Sequence, residues 1–157
     1  AAFQAAYSFV DTENKSFSDK DFAGKYTVLS FFFSWCKGPC PTLNAKIQLL
    51  GSRLEGFGNV QVISISIDGD FDTPEVLAEY AKKFPGNSQR KFLTARPEVV
   101  QSFSENVFHY AADAKEEVHT TKVLLLGKDR QLLQSFDSEE AGFVDRIVKR
   151  IEQEIKK

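Results

Sequence analysis

Two apolar runs restrict the fold more than any other feature of this chain: KYTVLSFFFSW at residues 25–35 and NVQVISISI at residues 59–67. Each is short and rich in β-branched and aromatic side chains, which is the pattern of a strand buried in a sheet. Between them Leu43, Ile47, Leu50 and Leu54 recur at the spacing of one helix face. Strand, helix and strand in that order imply a parallel central pair joined by a right-handed crossover. A chain of 157 residues is long enough to bury such a sheet within a single domain, and fifteen Phe make aromatic packing a large part of its core.

The flanking segments extend the pattern. YSFVDTENKSFS alternates around a polar turn at Thr12 to Lys15 and reads as an N-terminal β-hairpin. DTPEVLAEYAKKF reads as a helix with Asp72 or Thr73 as N-cap and Pro74 near its first position. RPEVVQSF opens a shorter helix in the same way, and KVLLLGKDRQLLQSF reads as a hairpin turning at Gly127 to Arg130. The tail from Glu139 to Ile155 is amphipathic through Phe143, Ile147, Ile151 and Ile155. The predicted order is hairpin, strand, helix, strand, helix, short helix, hairpin, helix. That is an α/β chain of thioredoxin-like arrangement: a central mixed sheet, flanking helices and an N-terminal β-hairpin. No internal repeat or linker divides it, so residues 1–157 are expected to form a single domain.

Composition excludes some functions. A net charge of −2 and a pI near 5.8 offer no basic face for nucleic acid phosphates. No run approaches the roughly 18 apolar residues that span a bilayer, and no signal peptide opens the chain. The chain has no Met. AAFQ is therefore not expected to be a natural start, and a targeting or anchoring segment is expected to lie outside the sequence.

Both cysteines fall in FSWCKGPCPT, residues 33–42, just where the first strand meets its helix. Ligands of such sheets gather beyond the carboxyl ends of the strands. If residues 36–40 were close to helical, Cys36 and Cys40 would have Cα atoms roughly 6 Å apart, within disulfide range. Pro39 and Pro41 lack N–H groups, so a regular helix is expected from about Pro41, with Cys36 in the preceding loop and Cys40 near the N-cap. The positive end of the helix and nearby Lys37 favour thiolate. Thiolate both attacks disulfides and binds soft metals, so the loop by itself leaves both chemistries open. A pair of inert buried thiols is the third reading, against which the flanking Gly38 and prolines suggest an exposed turn.

FFFSWCKGPCP resembles the Cys-x-x-x-Cys-Pro loop of the Sco/SenC family, the copper-handling thioredoxin-like proteins of cytochrome oxidase assembly. ISIDGDFDTPE (65–75) is similar to that family's strand-end segment, through Asp68, Asp72, Thr73, Pro74 and Glu75. VHTTKVLLLGKDRQLL (118–133) is similar to the segment carrying its metal-binding His ahead of a strand and hairpin, and FVDTENKSFSDKDFAGKYTVLSFFF fits the family's opening. The resemblance implies that Cys36 and Cys40 supply thiolates and His119 an imidazole to one copper ion, Cu(I) and also Cu(II) with a further ligand. Cu(I) is soft, and a site of two sulfurs and one nitrogen leaves room for an incoming ligand from a recipient. Zn(II) would be one ligand short of a closed site. The resemblance further implies a metallochaperone that serves the dinuclear copper centre of cytochrome c oxidase or another copper or thiol client. It implies membrane tethering through a missing N-terminal anchor, facing the bacterial periplasm or the mitochondrial intermembrane space. His109 matches no family role and reads as a surface residue. The carboxylates of DGDFD suit helix capping by Asp72 and loop ordering by Asp68 better than a hard-metal site.

The rival reading is a thiol–disulfide oxidoreductase using Cys36 and Cys40. GPC echoes the Cys-Gly-Pro-Cys loop of thioredoxins with one residue inserted, and Trp35 precedes Cys36 as a Trp does there. Thioredoxins place a cis-proline before the strand facing that loop, whereas this chain has His119, Thr120 and Thr121. A peroxiredoxin needs Thr or Ser three positions before its reactive Cys, where this chain has Phe33. The chain also departs from the Sco pattern. Val118 stands where an Asp usually precedes the His, and Lys37 and Gly38 stand where Pro and an acidic residue are common. The first change bears on how the imidazole is oriented.

Overall fold

Strand β3 (Tyr26–Phe32) and strand β4 (Val60–Ser66) pair in parallel in register from Tyr26↔Val60 to Phe32↔Ser66, with helix α1 (Pro39–Arg53) crossing between them. The computed structural model describes residues 7–108 and 121–157. Ahead of β3 lie β1 (Ser8–Asp11) and β2 (Ser16–Ser18). After β4 come α2 (Pro74–Ala81), β5 (Arg90–Thr94), α3 (Pro97–Phe108), β6 (Lys122–Leu126), β7 (Leu132–Asp137) and α4 (Phe143–Ile155). The strands form one sheet in the order β2-β1-β5-β4-β3-β6-β7. The mixed sheet, its flanking helices and the N-terminal hairpin agree with the sequence reading.

Local chemistry explains most of the boundaries. The Asp11 carboxylate accepts from the amides of Glu13 and Lys15, both at 2.9 Å, and Asn14 takes φ 61°, which closes the β1–β2 turn. Thr73, not Asp72, caps α2: its hydroxyl accepts from the Val76 amide at 3.3 Å. Helix α1 begins at Pro39, two residues earlier than expected, because proline is well suited to a first helical turn whose N–H groups would be unbonded anyway. Helix α4 begins later than the amphipathic stripe, since Gly142 at φ 75° breaks the helix ahead of Phe143. Phe143, Ile147 and Ile151 are buried as expected, but Ile155, at the helix end, is 43% exposed.

One strand was not expected. RKFLT forms β5, parallel to β4 and antiparallel to β1, so the sheet has three parallel strands rather than a parallel pair. Its five residues open on Arg90 and Lys91, too short and too charged at the start for periodicity to reveal. Only burial of Phe92, Leu93 and Thr94 marks it as a central strand.

The pleat sends alternate residues to opposite faces. Val28, Val60, Val62, Val123 and Leu125 meet Leu43, Ile47 and Leu50 of α1 and Ile147 and Ile151 of α4. Leu29, Phe31, Ile63 and Ile65 belong to the second core, which includes Phe103 of α3. Phe103 packs edge-on to Tyr7 at 5.1 Å and to Phe9 at 5.2 Å between ring centroids, and stacks with Phe22 at 5.9 Å. Removing that fully buried ring leaves a cavity among three aromatics. Phe103→Ala is expected to cost about 3–5 kcal/mol in urea unfolding; a loss under about 1 kcal/mol would contradict this packing.

Candidate metal centre

The cysteine loop leaves the carboxyl end of β3 and is fastened to the loop that leaves β4. The Ile67 amide donates to the Phe32 carbonyl at 2.8 Å, holding the two strand exits together. Beyond it, the Asp72 carboxylate accepts from the Ser34 amide at 2.9 Å, from the Ser34 hydroxyl, and from the Ser66 hydroxyl at 2.6 Å. Asp72 is 0% exposed. A buried carboxylate is tolerated only when its oxygens are hydrogen-bonded, and here each oxygen has a donor. Asp72 is thus a loop clamp and not the helix cap the sequence suggested. At Asp68 it is the backbone and not the expected carboxylate that orders its own loop: its carbonyl accepts from the amides of Phe71 at 3.1 Å and Asp72 at 2.8 Å. Its carboxylate also accepts from Trp35 Nε1 at 2.7 Å.

From that clamp the chain turns into α1. The Cys36 amide donates to the Phe33 carbonyl at 3.2 Å, so Cys36 sits in a turn ahead of the helix. Cys40 is the second residue of α1, between Pro39 and Pro41. Residues 36–40 are therefore not one helical segment, and the helical spacing does not describe the pair. With proline on both sides, Cys40 carries the only N–H among the first three helical positions, at the positive end of the helix. Both cysteines are thiols. Cys36 is 6% exposed and Cys40 0%, whereas Lys37 and Gly38 are exposed. The expectation of an exposed turn holds for the middle of the loop and fails for its sulfurs. Phe32, Phe33 and Tyr80 belong to the same core as the two thiols.

Beneath the thiols lies a polar chain that the sequence did not announce. Asn44, one turn after Cys40, donates from Nδ2 to the Tyr80 hydroxyl at 2.9 Å. Its Oδ1 accepts from Arg90 Nη2 at 3.1 Å, and the guanidinium lies 4.4 Å from the centroid of the Phe92 ring. Burial pushes the Tyr80 phenol up to about 12; the hydrogen bond from Asn44 opposes this, while the negative charges of Cys40 and Cys36 add to it. Burial pushes Arg90 down to about 9, partly offset by Tyr80, which leaves it charged at neutral pH. Arg90 Nε is buried without a hydrogen-bond partner. Asn44, Tyr80 and Arg90 come from α1, α2 and β5, and no spacing in the sequence connects them.

The structure thus brings together two of the three expected ligands. His119, with Val118 beside it, lies outside the described residues, as does His109. Among the described residues no three His, Cys, Asp or Glu side chains converge as a metal cluster, and DGDFD forms none. Asp72→Asn would turn an amide donor toward Ser34 or Ser66. It is expected to lose about 2 kcal/mol of stability in urea unfolding and to quicken alkylation of Cys36 in the folded protein. Unchanged stability and alkylation would remove Asp72 from the clamp.

A profile of the SCO1/SenC family matches residues 1–156. Protein SCO1 homolog 1, mitochondrial, of Arabidopsis thaliana is 25% identical over 163 residues, which are 98% of this chain and 48% of that protein. This chain therefore spans about half the length of that relative. Two solved structures share the fold. BsSco, described as a member of the Sco family of cytochrome c oxidase assembly proteins with a disulfide switch, has a TM-score of 0.84 at 22% identity, over 95% of this chain and 91% of that one. Yeast Sco1 with copper bound has a TM-score of 0.74 at 23% identity, over 97% and 94%. A cysteine pair at the exit of a central strand, in a chain matched almost end to end, places this protein within a known group: it belongs to the SCO1/SenC family.

Proposed function

We propose that this chain binds one copper ion through Cys36, Cys40 and His119 and delivers it to the dinuclear copper centre of cytochrome c oxidase. The observation that carries the reading is the pair of thiols in one core, at the exit of β3 and the first turn of α1. Two thiolates suit Cu(I), which is soft and accepts few ligands. The helix N-terminus favours their negative charge. Copper is the cargo here, and the protein's own part is to hold two buried sulfurs in a fixed loop. Family membership and the copper bound to yeast Sco1 support copper as the ligand. Support for His119 comes from the family resemblance of residues 118–133.

The same thiol pair supports a second reading, reduction of a client disulfide, favoured by the disulfide switch of BsSco. One thiolate attacks the client disulfide and releases a client thiolate, which takes up a proton. The second thiol, deprotonated, displaces the other client sulfur, so the client gains two thiols and the chain keeps a Cys36–Cys40 disulfide. As for location, the relatives include mitochondrial and bacterial proteins. We place the chain facing the intermembrane space or the periplasm, tethered by a segment outside this sequence. Among the described residues no helix is long and apolar enough to cross a membrane.

Reduced protein is expected to take up about one Cu(I) per chain, and Cys36→Ser, Cys40→Ser or His119→Ala to weaken it strongly in competition with a chromophoric chelator. Undiminished affinity in His119→Ala would take that residue out of the site. Oxidation to the disulfide is expected to abolish binding, because no thiolate remains. Reduction of a client disulfide, by contrast, is expected to need both cysteines and to survive His119→Ala. Loss of that activity in His119→Ala would reject the second reading.

A further inference from the structure

The charge balance of the thiol site points to a role for Arg90, and the inference rests on the copper reading above. Two thiolates, one Cu(I) and one neutral imidazole carry a single net negative charge. Placing that charge among Phe32, Phe33 and Tyr80 is unfavourable unless a cation compensates it nearby. Lys37 is exposed, and water screens it. Arg90 is different. Its Nε is buried without a partner, its Nη2 donates to a neutral amide, and its guanidinium lies over the face of Phe92. Among the described residues it makes no ion pair. The guanidinium is half-buried, with its Nε shut away unbonded, so it is a cation held in place and free to answer a negative charge that arises nearby.

The direction of the polar chain shows where that charge arises. Cys40 and Asn44 are both 0% exposed and stand one turn apart, on the same face of α1. Asn44 presents Oδ1 to Arg90 and Nδ2 to the Tyr80 hydroxyl. The phenol accepts that bond and keeps its own proton to donate. We propose that Arg90, held by Asn44, is the fixed countercharge of the copper-loaded thiolate site: a positioning residue that touches no ligand and stabilises the loaded state over both the empty dithiol and the disulfide. Both cysteines and Arg90 bear electrostatically on the Tyr80 phenol. Through an effective dielectric constant of about 20, a fixed unit charge changes an affinity by about tenfold at separations on the order of 10 Å.

The experiment compares Cu(I) affinity of the reduced wild-type chain with Arg90→Met, Arg90→Lys and Asn44→Asp, by competition with a chromophoric chelator. It also measures the metal-free dithiol–disulfide equilibrium against glutathione at pH 5, below ordinary thiol ionisation. Arg90→Met is expected to weaken Cu(I) about tenfold, and Arg90→Lys to stay within about threefold of wild type. Asn44→Asp, which gives the guanidinium a carboxylate of its own, is expected to weaken Cu(I) at least as much as Arg90→Met. The metal-free equilibrium, whose two forms are uncharged at that pH, is expected to stay within about twofold in Arg90→Met. Full affinity in Arg90→Met, or an equal loss in Arg90→Lys, overturns the inference. Should Arg90→Met fail to fold, undiminished affinity in Asn44→Asp overturns it. A wild-type chain that binds no Cu(I) overturns the copper reading itself, and this inference with it.

Discussion

The carboxylate of Asp72 is the contact on which the thiol site depends. It is closed off from water, and what satisfies it is a pair of serines, Ser34 two residues beyond β3 and Ser66 at the end of β4. Neither serine gains as much from any other arrangement, because a buried carboxylate without donors is far costlier than a hydroxyl in water. The exits of two adjacent parallel strands are thereby locked to each other just past their last ladder bond. Everything after Ser34 is placed relative to that lock: Trp35 reaches Asp68, Cys36 turns back on Phe33, and Pro39 opens the helix. A crossover fold puts ligands at such exits, and this clamp makes the exit rigid.

Rigidity and dryness work together at the sulfurs. A thiolate is stabilised by a helix N-terminus and destabilised by apolar surroundings, so burial alone would favour the neutral thiol. Among the first three helical positions the two prolines leave Cys40 with the only amide donor. The Asn44–Tyr80–Arg90 chain puts polar groups and a cation under an otherwise aromatic floor. On the copper reading proposed above, a soft cation held by two thiolates would leave a net negative charge over this floor.

Much of this was legible in the residues. Strands with continuous apolar runs and helices with full stripes were found, because burial on two faces or on one writes itself directly into the order of side chains. The hairpin turns were legible as the polar stretches Thr12 to Lys15 and Gly127 to Arg130, within which Asn14 takes φ 61° and Arg130 φ 67°. Strand β5 was hidden because Arg90 and Lys91 open it and only three of its residues are buried. Asp72 was misassigned to a cap since Thr73 and Pro74 follow it, and an Asp before such a pair is equally consistent with either use until Ser34 and Ser66 are seen beside it. The cysteine pair was legible as a pair, but its burial was not: Gly38 and the prolines mark a turn, and a turn can expose its middle while hiding both ends. The polar chain under the thiols could not be read at all, since its three members meet only through tertiary packing.

Trp35 gives the loop a reporter of its own. It is the sole tryptophan of the chain, stands next to Cys36, and is 49% exposed. Its ring lies 4.4 Å from that of Phe33 between centroids, with its indole N–H held by Asp68. An indole so placed, half in water and one residue from a sulfur, emits from the surface where the proposed copper or disulfide chemistry would take place. Any change in its fluorescence would come from this loop, with no label attached and no competing indole elsewhere in the chain.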